Sequence, residues 1–273
     1  VSGARVVDSH VHLLPERLAT RVRGFFEERG LVGVWAYPLD TDEVLEELRR
    51  DGVDEVWTLP YAHRPGVAAW LNEAIVELAA RPGTLSVVAG ATVHPGDDDP
   101  VGIVRTATDD LGARVLKLHC SVGGFDADDE RLDPVWEHVA AAHVPVVVHV
   151  GHAGSGRTES DELAPVGRVA TRHPGAVLVV AHSAYPATSA ALDLVRRYPG
   201  VHLDLTPVLR DPVGLMRDDL VEHAGRILFG SDTPNVAIRA ADGLAALRGL
   251  DLPPDALAAI TGGNARRLTA PPT

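Results

Sequence analysis

The chain is 273 residues long with a formal net charge of −13, a length that suits one large α/β domain and a charge that disfavours nucleic acid and anionic membrane surfaces as partners. A single cysteine, Cys120, excludes an intrachain disulfide and suits a reducing cytoplasm, no apolar stretch reaches spanning length, and Val1 to Arg5 lacks a signal-peptide pattern. The expectation is one domain over residues 1–273, cytoplasmic, acting on a small-molecule substrate, with a homo-oligomer left open and, since residue 1 is not Met, a removed leader left open too.

Eight apolar runs read as strands, near residues 4–12, 54–61, 86–93, 113–119, 144–150, 176–182, 201–206 and 226–231. Amphipathic helical stretches stand between most of them: Asp42 to Arg50, Val67 to Ala80, Leu132 to Ala142, Leu163 to Arg172 and Ala187 to Arg197. Pro82-Gly83, Pro174-Gly175 and Pro199-Gly200 stop three of these helices and lead into the next strand. Strands alternating with helices predict right-handed βαβ units and a parallel sheet. Eight such units predict a (β/α)8 TIM barrel, distorted by a long loop insertion after strand 1, with an open doubly wound sheet as the alternative. The insertion, Leu13 to about Asp40, carries Phe25, Phe26, Trp35 and Tyr37; it reads as a lid, an interface element or a stabilising flap.

The polar residues recur at one structural position. Strand 1 runs Val6-Val7-Asp8-Ser9-His10-Val11-His12, and side-chain alternation puts His10 and His12 on one face, able to bite a single ion. Later strands end at His63, His94, His119, His149, His182 and Asp232, which is where a barrel collects its catalytic groups. His63 and His94 are either mouth residues or solvated loop histidines. His152 follows the fifth strand in a Gly-rich run, Gly151 to Gly156, that lacks a P-loop lysine and reads as a mouth loop. His138, His143, His173, His202 and His223 fall in helices or at strand starts and read as surface residues. Lys117 is the only lysine among 25 basic residues; in a strand interior it needs a partner or a lowered pKa, so it is either a site residue whose amine matters or half of a structural ion pair.

In order and spacing, Asp8 to His12, Lys117-Leu118-His119, Pro145 to Gly151, Ala181-His182, Leu228 to Pro234 and Gly263 to Leu268 resemble the amidohydrolase superfamily. Within it the chain is most similar to the amidohydrolase-2 group of metal-dependent hydrolases, hydratases and aromatic-acid decarboxylases. The resemblance implies that His10, His12, His149 and Asp232 hold one divalent ion, most often zinc, which suits imidazole and carboxylate ligands. It also implies that Asp232 is the general acid and base for an activated water, and that His182 orients that water or stabilises the developing oxyanion. Asp8 would support the ligand shell from behind or fix strand 1. Lys117 divides two arrangements. In a one-metal site Lys117 and His119 contact a substrate anion or carboxylate, joined by His152; in a two-metal site a carbamylated Lys117 bridges the ions, and His149 and His182 hold the second.

The implied reaction is metal-dependent hydrolysis of a small, anionic or carbonyl-containing substrate. The alternatives are nonoxidative decarboxylation on the same scaffold and a non-catalytic metal- or ligand-binding barrel. DNA-cleaving phosphodiesterase relatives are disfavoured by the acidic charge and by lysine where they place glutamate after strand 4.

Overall fold

The computed structural model describes residues 5–30, 34–151, 158–207 and 214–271. All eight expected strands form: β1 (Val7–Val11), β2 (Glu55–Thr58), β3 (Ser86–Thr92), β4 (Val115–Leu118), β5 (Val146–Val148), β6 (Leu178–Val180), β7 (Val201–Asp204) and β8 (Ile227–Leu228). Each pairs in parallel with the next in chain order. Most ladders stop short of the apolar runs because the last residues of those runs have already left the sheet for the barrel mouth.

Closure excludes the open-sheet alternative. β8 is only two residues long, and the segment after it joins β1. The Ser9 N–H donates to the Phe229 carbonyl at 2.9 Å, the Asp232 N–H to the His10 carbonyl at 2.9 Å and the His12 N–H to the Thr233 carbonyl at 2.7 Å. Gly230 permits this approach, since a Cβ there would lie 2.4 Å from Thr206 Cγ2 and 2.8 Å from His10 Cβ.

The period of two along each strand sorts the barrel into layers. Val7, Trp57, Val115, Val147, Val179 and Leu228 form an apolar cluster separate from the larger one between sheet and helices, and they plug the interior. Two residues further along, the same faces carry Lys117, His149 and Gly230, and Asp204 follows His202 likewise. A register shift between Asp8 and Val11 adds the odd residue that lets Val7 and His10 share the interior face.

Around the sheet, helices form at Thr41–Arg50, Ala68–Ala79, Asp133–Ala141, Glu159–Arg172 and Thr188–Arg197. The fourth begins at Glu159 rather than Leu163 because the Thr158 hydroxyl accepts from the Asp161 N–H and the Asp161 carboxylate accepts from the Thr158 N–H. Among the described residues no helix is long and apolar enough to cross a membrane.

The insertion is not simply loop. Glu16–Glu28 is a helix, and its Leu18 packs on the apolar cluster beneath Ala68–Ala79. At the far end Tyr37 is buried; its hydroxyl donates to Asp51 Oδ2 at 2.5 Å and accepts the Ala240 N–H at 2.7 Å. Asp51 and Glu47 also take the Arg239 guanidinium. Tyr37→Phe strands the Ala240 N–H and takes the donor from Asp51 Oδ2, leaving that carboxylate to Arg239 alone, so urea unfolding should show a loss of about 1–3 kcal/mol. A midpoint equal to the parent's would mean that the hydroxyl does not brace this corner.

Two histidines expected at the surface are buried, His202 and His223, each 6% exposed. His202 shares the inward face of β7 with Asp204, so the strand period turns it into the barrel's lower end.

Candidate metal centre

His10, His12 and Asp232 each present a ligand-type atom, all lying within 4.8 Å of one another. His12 Nε2 stands 3.1 Å and His10 Nε2 3.7 Å from Asp232 Oδ1. Both rings have their proton placed by the partner of the other nitrogen. His12 Nδ1–H donates to the Leu59 carbonyl at 2.7 Å, and His10 Nδ1–H donates to Asp204 Oδ2 at 2.8 Å. Each Nε2 is therefore a lone pair aimed into the cluster. The donor set, two imidazoles and one carboxylate, is the chemistry that a divalent ion such as zinc takes.

Asp232 has φ +63°, a left-handed conformation that costs a non-glycine residue about 1–3 kcal/mol. Its surroundings hold it there. Asp8 Oδ1 accepts the Ser231 N–H at 2.9 Å and the His10 N–H at 3.2 Å, tying the two ligand-bearing segments together. The two roles considered for Asp8 are thus one: it backs the centre by fixing strand 1 to the segment after β8. Burial pushes its carboxyl up to about 7, against those hydrogen bonds.

His149 does not join the three-residue group, but it lies beside it. The sequence Val180-Ala181-His182 would turn His182 away from the interior by strand parity; instead His182 and Ser183 adopt φ +57° and +47°, which swings the imidazole into the mouth. There its Nδ1–H donates to the Thr206 carbonyl at 2.9 Å, and its Nε2 accepts from His149 Nδ1–H at 3.2 Å. This leaves His149 Nε2 buried with no hydrogen-bond partner, an orphaned lone pair that a metal ligand would satisfy.

Lys117 is fully buried, and its Nζ lies 3.3 Å from His10 Nε2. Burial lowers its pKa to about 8, while Asp204 and Asp232 resist, so the amine stays largely protonated at neutral pH. Burial and the Lys117 charge push His10 down to about 3, against Asp204, so this ring is neutral as a ligand requires. Burial opposes ionisation of Asp232, but the surrounding imidazoles of His12, His10 and His182 more than offset that and hold its carboxyl below the usual range.

His119 stacks on His149 with ring centroids 3.8 Å apart, and Tyr61 lies against both His119, at 5.1 Å, and His12, at 5.5 Å. Burial drives both His119 and His149 well below the usual imidazole range. His94 has both ring nitrogens occupied, Nδ1 by the Gly96 N–H and Nε2 by the Gly123 carbonyl, so it braces a loop. His63 is exposed. His152 lies outside the described residues.

Three residues of this site carry no signal as ligand motifs: Asp204, Thr206 and Tyr61. The first two were visible as polar positions on the interior face of an apolar strand, Val201-His202-Leu203-Asp204-Leu205-Thr206. Tyr61 ends strand 2 and is marked only by its place.

The chain matches the family model described as Amidohydrolase over residues 7–268, and it belongs to that family. Membership and the clustered His10, His12 and Asp232 on a TIM barrel together make this a catalytic chain of the metal-dependent hydrolase type. No curated protein matches the chain in sequence. Among solved structures, an uncharacterized TIM-barrel protein from Bordetella bronchiseptica is 20% identical, with 97% of this chain and 98% of that one covered at a TM-score of 0.77. 5-Carboxyvanillate decarboxylase from Sphingomonas paucimobilis is 15% identical, with 99% and 100% covered at 0.72. Dihydroorotase from Campylobacter jejuni is 16% identical, with 97% and 82% covered at 0.63. At these identities the likeness is one of fold.

Proposed function

We propose that the protein hydrolyses a small anionic or carbonyl-containing substrate at a single zinc site, with His10, His12, Asp232 and His149 as the residues that would hold the ion. The observation that carries this reading is the convergence of His10, His12 and Asp232, with both His Nε2 lone pairs preset by the partners of Nδ1. A divalent ion in such a set acidifies a coordinated water and polarises a substrate oxygen.

The protein's own groups supply the rest. Asp232, ionised and 19% exposed at the mouth, takes the proton from the nucleophile and returns it to the leaving group. His182, held through Nδ1 by Thr206, orients the nucleophile through Nε2 in exchange for its bond to His149 Nδ1–H. Lys117 is the buried cation nearest the ligands and, with His119 and His152, meets a substrate carboxylate or anion. Decarboxylation remains the second chemistry, on the same anion contact: 5-carboxyvanillate decarboxylase shares the barrel end to end. Release of CO2 from a carboxylated substrate separates the two.

Elemental analysis of metal-replete protein should give about one equivalent of zinc per chain. No specific binding would overturn the reading, and two equivalents would replace the anion contact with a carbamylated, metal-bridging Lys117.

A further inference from the structure

Four donors converge on the carboxylate of Asp204. His10 Nδ1 lies 2.8 Å from Oδ2. The His182 N–H reaches Oδ1 at 2.8 Å, the Thr206 N–H at 3.2 Å and the Thr206 hydroxyl at 2.5 Å. Asp204 is itself fully buried, and with a donor on each contact of both oxygens it can only accept.

We propose that Asp204 is the positioning residue of the centre: it fixes the proton of His10 on Nδ1, so that Nε2 faces the ion, and with its other oxygen seats the left-handed turn that carries His182. The proposal rests on His10 being a metal ligand. An imidazole has one proton in its neutral form, and whichever nitrogen keeps it cannot ligate. The residues near His10 Nδ1 are Asp204 and the Thr206 hydroxyl, at 3.2 Å. That hydroxyl spends its own proton on Asp204, so both neighbours accept from His10 and neither donates to it. One oxygen thus dictates the ligand's tautomer while its twin, through backbone N–H groups, dictates where His182 stands.

Asp204→Asn separates the two oxygens. Three donors face the Oδ1 side and one faces Oδ2, so the amide oxygen turns toward His182 and Thr206 and the amide NH2 toward His10. His10 Nδ1 must then accept, and its proton moves to Nε2. The experiment is zinc affinity by chelator competition on the full chain, together with nitrogen NMR of the His10 ring in metal-free protein. Expected are a fall of roughly 10–100-fold in zinc affinity and transfer of the ring proton from Nδ1 to Nε2, with an unchanged circular dichroism spectrum. Parental affinity with the proton still on Nδ1 would overturn the proposal. Should the variant fail to fold, the wild-type ring decides: a metal-free His10 protonated on Nε2 overturns it, and one protonated on Nδ1 supports it. Wild-type protein that takes up no zinc would defeat the metal reading instead, and the tautomer measurement would still stand.

Discussion

Asp232→Asn should leave a folded chain whose turnover, measured at saturating metal, is lower by roughly 100- to 10,000-fold, the range that a positioned acid or base contributes. The amide keeps the shape of the side chain and one oxygen, but cannot take a proton. It is also the substitution that the backbone tolerates best. Asp232 sits at φ +63°, and Asn is among the few residues other than glycine that enter this region readily. Loss of activity therefore will not be a disguised folding defect, which circular dichroism and a thermal melt would verify. Loss of one anionic ligand weakens metal binding, so activity has to be compared across a metal titration. Near-normal turnover at the plateau would remove Asp232 as the essential base.

Lys117→Arg should cost at least about tenfold in kcat/KM, although arginine is this chain's usual cation. One hydrogen bond to a charged group is worth about 1.5–3 kcal/mol, or roughly tenfold and more. The amine is completely buried, 3.3 Å from a ligand nitrogen, and the larger guanidinium overpacks that space at a cost of about 1–3 kcal/mol. It also stays protonated and forms no carbamate. Kinetics and metal counting on this one variant distinguish three roles. A raised KM with unchanged metal content identifies a substrate contact. Loss of one of two ions identifies a bridge. Parental behaviour in both assays would show that the lysine has no part in the site.

Eight strands and their order were legible because a strand's period of two and the Pro-Gly helix stops are local signals, complete within ten residues or so. His10, His12 and Asp232 were legible for a related reason: polar residues that end apolar strands have few structural uses. Asp204 was not, because its meaning lies in a partner 194 positions away, and nothing near it in the chain distinguishes a carboxylate that orients a ligand from one that merely faces a plug. His182 shows the same limit from the other side. Alternation along β6 points it away from the mouth, and only the left-handed turn brings it in. The burial of His202 follows from parity once the register of β7 is known.

The seam between β8 and β1 has a bearing on how this barrel can change over time. Here the last strand is two residues long, and the hydrogen bonds that shut the cylinder run from Ser9, His12 and Asp232, beside or within the residues that meet at the centre. These bonds are made by backbone groups, so a substitution that shifts this stretch of backbone loosens the joint and displaces the ligands together. Foldedness and activity are thereby inherited together at this edge. New substrate preferences have to come from elsewhere on the rim, where the segments following the other strands are free to vary without reopening the cylinder.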